Sequence, residues 1–201
     1  MSLADAYVVF KLTLTNLFLL DQRTQEHDPP LATTQLYIIN EAILLRAFRA
    51  FENLAEEAFI HYTFGHPTLS GVPVTSFIRP KDSRHAYEIL RSSQPFLEWN
   101  SPTTVITRAE TYLDKGGPIK AAYASKQSLI IDMKRVRNHI AHNSQSSLEE
   151  YKKLLNNYLL TIPLAIPEPG EFLQNMVKKQ PIRILRNFLE EIDDIGELVA
   201  N

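Results

Sequence analysis

Between Leu31 and Tyr62 no glycine or proline interrupts the chain, and Leu44, Phe48, Phe51, Leu54, Ala55, Ala58 and Phe59 recur there at helical spacing. Apolar side chains three or four residues apart share one face of an α-helix. A helix of about 30 residues rises about 45 Å. So long an aromatic stripe has to be covered by other elements. Only six of the 201 residues are glycine, and few runs alternate apolar with polar residues, so the covering elements are expected to be helices rather than strands. The expected fold class is all-α, an up-and-down helical bundle with a helical C-terminal appendage.

Caps and breakers place the other elements. Ser2 can cap a first helix to about Leu20, and the polar stretch from Asp21 to Asp28 reads as a loop before Pro29 and Pro30. Gly65 to Pro80 holds two glycines and three prolines and is expected to be irregular, with room for a short strand. A short helix from Ser83 to about Arg91 leads to a connector, Gln94 to Asn100. Ser101 and Pro102 then open a helix to Leu113 that Gly116-Gly117-Pro118 stops. The next helix runs from about Ile119 to His142. Ser147-Leu148-Glu149-Glu150 has the form of a capping box, so a further helix is expected to return as a hairpin partner. The Pro-rich piece from Thr161 to Gly170 precedes two last stretches, Glu171 to Lys179 and Pro181 to about Val199. Residues 1–160 thus read as the bundle, and 161–201 as an appendage packed on the same domain.

The balance of 21 Lys and Arg against 23 Asp and Glu excludes a basic footprint over the whole chain, so any nucleic-acid contact has to be local. The lack of cysteine excludes a disulfide scaffold, a thiolate metal site and a cysteine nucleophile. It fits a reducing compartment, and the cytoplasm is the expected location. The apolar window from Tyr7 to Leu20 contains Lys11, Thr13, Thr15 and Asn16, and on that ground is read as neither a signal peptide nor a membrane span.

Chemistry concentrates on the helix ending at His142. Leu129, Met133, Val136 and Ile140 mark its expected buried stripe, and Arg137 falls about 40° from Met133, inside that stripe. A guanidinium there needs a carboxylate, a ligand phosphate or a route to solvent, so a structural ion pair competes with an anion site. Asn138 and His142 are one helical turn apart on another side. The orphan carbonyls at a helix end favour imidazolium, which should raise the His142 pKa toward or above neutrality, unless the ring serves only as a cap. Arg137 and His142 point about 140° apart on an ideal helix, so one site can use both only if the helix ends before His142 or a second chain bridges them.

Lys120, Lys126, Lys134, Arg135 and Arg137 outweigh the single Asp132 on this helix, which makes Lys134 and Arg135 candidate RNA-backbone contacts or simply a solvated face. His139 and His142 have the spacing of two zinc ligands, but the sequence marks no third, and no metal or cofactor is expected. Gly116-Gly117-Pro118 lacks the spacing of a phosphate loop, and no Gly-x-Ser-x-Gly elbow occurs.

The string Arg137-Asn138-His139-Ile140-Ala141-His142 resembles the signature of the HEPN superfamily, an Arg and a His four to six residues apart with a polar residue after the Arg. The earlier long helix with Arg49, Phe51 and Glu52 is similar to the helix that faces the motif in that family. The resemblance covers about residues 1–160 and is nearest to the branch associated with RiboL-PSP proteins. It implies a homodimer in which two motif helices build one metal-independent endoribonuclease site, in a toxin–antitoxin or phage-defence setting, with RNA as substrate and an antitoxin as a further partner. Arg137 would stabilise the phosphoryl oxygens, His142 of each copy would move a proton, and Asn138 would orient phosphate or imidazole. Glu52, about 100° from Phe51 at the edge of its helix's stripe, could pair with Arg137 or orient His142 unless it simply faces solvent. His139, two residues after Arg137 and too early for the family's catalytic histidine, is a secondary candidate to assist. The competing expectation is a non-catalytic helical module that binds a partner protein, a nucleotide or RNA without cutting it.

Overall fold

The computed structural model of the chain describes residues 1–91, 97–161 and 164–201. The protein is an all-α helical bundle. Its helices are α1 Leu3–Gln25, α2 Thr33–Thr63, α3 Ser83–Arg91, α4 Pro102–Tyr112, α5 Gly117–Ser125, α6 Gln127–His142, α7 Gln145–Tyr158, α8 Pro169–Gln174 and α9 Ile184–Ala200, with a 3-10 turn at Asp114–Gly116. The described residues contain no strand, only isolated bridges joining Ser76 to Leu113 and Met176 to Arg183. Gly65 to Pro80 is accordingly irregular. The chain forms two compact units, one of Met1–Lys11, Ala50–Ile131 and Asp193–Asn201, the other of Leu12–Arg49 and Asp132–Ile192.

The α2 stripe is buried as its periodicity requires, from Leu44 through Phe48, Phe51, Leu54, Ala55 and Ala58 to Phe59. In the first unit Phe51 packs on Tyr123 at 5.5 Å between ring centres and Phe59 on Trp99 at 5.4 Å. The Tyr62 hydroxyl donates to the Val199 carbonyl at 2.8 Å and the Tyr123 hydroxyl to that of Trp99 at 2.7 Å, so these buried phenols are satisfied. In the second unit Tyr151 and Tyr158 both meet Phe172 edge-on, and Tyr158 also meets Phe188. Residues 161–201, expected as an appendage, contribute Phe172, Leu173, Ile184, Leu185, Phe188, Leu189 and Ile192 to the core.

Several boundaries differ from the sequence reading. The first helix runs through Asp21 and on to Gln25, because Asp21 and Thr24 continue its buried face and are partnered there. Asp21 takes a 2.6 Å ion pair from Arg183, and the Thr24 hydroxyl donates to the Leu20 carbonyl at 2.7 Å. The helix expected from Ile119 to His142 is two helices, broken at Lys126, whose φ of −126° and ψ of 25° leave the helical region. Gly117, expected to stop a helix, starts α5, and Gly116 before it supplies the left-handed φ of 79° that the preceding turn needs. The capping box lies one turn earlier than expected: the side chains of Ser144 and Ser147 each accept the other's backbone N–H. The expected helix from Glu171 to Lys179 ends at Gln174 as α8, and Lys179 turns the chain at φ 62°. Residues 94–96 of the connector and 162–163 of the Pro-rich piece lie outside the described residues.

By length and composition α1 is apolar enough to cross a membrane, with a mean hydropathy of 1.5 over its best window, although Lys11 breaks the run. Leu3, Ala6, Phe10, Leu14 and Leu17 of the same helix are protein core.

Candidate functional site

The site rests on α6 and the corner that follows it. Ile130, Met133 and Val136 are fully buried, and the next buried position on that face is His139, not Ile140, which is half-buried. The buried stripe is therefore rotated from the expected one, and Arg137 lies at its half-exposed edge instead of inside it. Its Nη1 donates to the Oδ1 of Asn138 at 3.0 Å. Among the described residues no carboxylate pairs with Arg137. The Asn138 amide is thereby oriented with its oxygen toward the guanidinium and its NH2 donors on the other side.

His142 is exposed at the last position of α6. The helix does not end before it; the chain leaves helical geometry at Asn143, whose φ is 41°. Of the two ways for Arg137 and His142 to share a site, only bridging by a second chain is compatible with this geometry.

His139 has a different place. It is 8% exposed, stacks on Tyr151 at 4.9 Å between ring centres, and its Nδ1 lies 3.1 Å from the Ser147 hydroxyl. Burial lowers its pKa from the ordinary histidine value. This ring joins α6 to the cap of α7.

Two of the basic residues counted along this stretch are matched by acids. Arg135 donates to Asp132 at 2.9 Å and reaches Glu150 at 3.4 Å. Glu150 also pairs with Lys153, and these neighbours, Lys153 first, hold its carboxyl below the usual range. On α5, Lys120 pairs with Glu110 at 2.6 Å. The local excess of positive charge counted along the sequence is thus reduced by residues distant in number, which a count along one helix does not see. Glu52, on α2, accepts a 2.5 Å hydrogen bond from the Asn100 amide.

One polar cluster went unmarked by sequence. The Trp99 indole N–H donates to Glu56 at 2.8 Å, and the Arg108 guanidinium lies 5.9 Å from the indole ring. Burial raises the Glu56 carboxyl pKa and lowers that of Arg108. The single Trp, set near the end of the expected connector, was the available signal. Among the described residues no group of three His, Asp or Glu side chains is placed to hold a metal ion.

No protein-family model, no curated protein and no solved structure matches this chain.

Proposed function

We propose that the protein is a metal-independent endoribonuclease of HEPN type that cleaves single-stranded RNA in a site composed from two copies of the chain. The observation that carries this reading is a half-exposed Arg137, steered by Asn138 and without a carboxylate partner among the described residues, on the helix whose last residue is the exposed His142. A guanidinium with a neutral neighbour keeps its full charge for a phosphate.

In the proposed reaction a ribose 2′-OH attacks the adjacent phosphorus. One His142 takes the hydroxyl proton, Arg137 stabilises the charge growing on the phosphoryl oxygens, and the partner's His142 protonates the leaving 5′-oxygen. The products are a 2′,3′-cyclic phosphate and a 5′-hydroxyl end. The angle between Arg137 and His142 is what calls for the second copy. The toxin–antitoxin or phage-defence setting rests on the motif resemblance alone.

The test is cleavage of single-stranded RNA in EDTA by the parent protein, Arg137→Ala and His142→Ala. Loss of cleavage in both variants with unchanged melting temperature supports the assignment, and equal cleavage by all three proteins rejects it. The pairing of Arg135 with Asp132 and Glu150 favours a second reading, a helical module that binds without cutting. Binding that is indifferent to His142→Ala, with no product formed, would select that module.

A further inference from the structure

Helix α1 carries two apolar faces. One, Leu3, Ala6, Phe10, Leu14 and Leu17, is core, whereas Val8, Val9, Leu12, Leu19 and Leu20 are each 44–59% exposed. With Thr15 and Asn16, these exposed residues fall in an arc of about 140° on the helix, and Asp5 and Arg23 sit close to its midline at the two ends. The arrangement is symmetric in sequence about the level of Leu14. Antiparallel pairing of two such helices sets Val8 against Leu20, Val9 against Leu19 and Leu12 against Asn16, and Asp5 meets Arg23 at both ends. A face that complements itself under a two-fold rotation is the requirement for an isologous dimer contact.

We infer that the outer face of α1 docks antiparallel on α1 of a second copy of this chain. Charge fixes the direction, since parallel pairing would bring Asp5 beside Asp5 and Arg23 beside Arg23. The contact spans about 27 Å along the helix. Its five half-exposed apolar side chains offer on the order of 400 Å² per copy, against the roughly 800 Å² per partner of a stable complex. With the polar residues of the same face added, this suits a concentration-dependent dimer more than an obligate one. A lipid surface is the less favoured occupant, because Thr15 and Asn16 lie mid-face and Asp5 is acidic, whereas helices lying on anionic membranes carry basic flanks. The inference does not rest on the ribonuclease reading: the response of the mass to substitutions on α1 reads this face, and the response of RNA cleavage to Arg137→Ala and His142→Ala reads the other.

Sedimentation of the full chain across the micromolar range tests it. The parent is expected to shift from monomer to dimer with concentration. Leu12→Asp, at an exposed position that leaves the core intact, is expected to raise the dimer dissociation constant roughly ten-fold or more. Arg23→Glu is expected to weaken the dimer, and Asp5→Lys together with Arg23→Glu to restore it, with circular dichroism confirming the helix content of each. A parent that stays monomeric, a dimer indifferent to Leu12→Asp, or a charge swap that does not restore association overturns the inference. So does binding of the monomer to vesicles of neutral or anionic phospholipid that Leu12→Asp abolishes, which would make the face a lipid contact.

Discussion

His139→Ala probes a buried histidine three residues from an exposed one. The substitution removes the stack on Tyr151 at 4.9 Å and the 3.1 Å hydrogen bond to Ser147, from a ring that is 8% exposed. The stack contributes about 1 kcal/mol and the hydrogen bond about 1 kcal/mol. Lost burial of the ring adds on the order of 1 kcal/mol. The total is about 2–3 kcal/mol, which at about 2–4 °C per kcal/mol for a chain of this size lowers the melting temperature by about 5–10 °C. The pH dependence has a definite sign. Burial sets the folded pKa below its ordinary value of 6.5, so above that value neither state holds the proton. As pH falls below it, the unfolded chain takes up a proton that the folded ring refuses, and stability is lost until the folded pKa is reached. His139→Ala has no such loss, so its deficit in melting temperature narrows between about pH 7.5 and about pH 5. Calorimetry at both pH values measures this. A variant that melts within about 1 °C of the parent at about pH 7.5, or a deficit that widens in acid, refutes the reasoning.

Asp21→Asn leaves Arg183, which is 15% exposed, without its 2.6 Å carboxylate, and should cost about 2–3 kcal/mol in urea unfolding, with part of the loss recovered by Asp21→Leu combined with Arg183→Met. Gly196→Ala should destabilise by about 1–3 kcal/mol, since a Cβ there would lie 2.3 Å from the Phe10 ring; thermal melting reads it. If RNA is bound, Arg137→Gln should lower the slope of log affinity against log salt by about 1, whereas Arg135→Gln, already committed to Asp132 and Glu150, should change it by less; fluorescence anisotropy across a salt series measures both.

The fold class was legible because helical periodicity is local. The α2 stripe needed only the spacing of its own residues, and the limits of α3 followed from Ser83 and Arg91. What the sequence hid was decided by residues far apart in number. Asp21 reads as a loop residue until Arg183 is placed beside it, and Arg135 reads as a free cation until Glu150 comes within reach. The orientation of α6 was missed for a related reason. His139 counts as polar in a periodicity, but its ring is covered by Tyr151 of α7, which turns Ile140 outward and carries Arg137 to the edge. Arg137, Asn138 and His142 were marked as candidates by their spacing, while the contrast between a buried His139 and an exposed His142 required the packing of α7.

The passage from α6 to α7 takes only Asn143 and Ser144, and Ser147 both caps α7 and meets the ring of His139. Tilting the end of α6 would therefore draw the His139 ring away from the capping serine and pull its stack on Tyr151 apart at the same time. The corner acts as a splint: His142 is presented to solvent from a mount that cannot swivel independently of the helix behind it. Its side chain can turn about its own bonds, but the backbone that aims it is held from both directions.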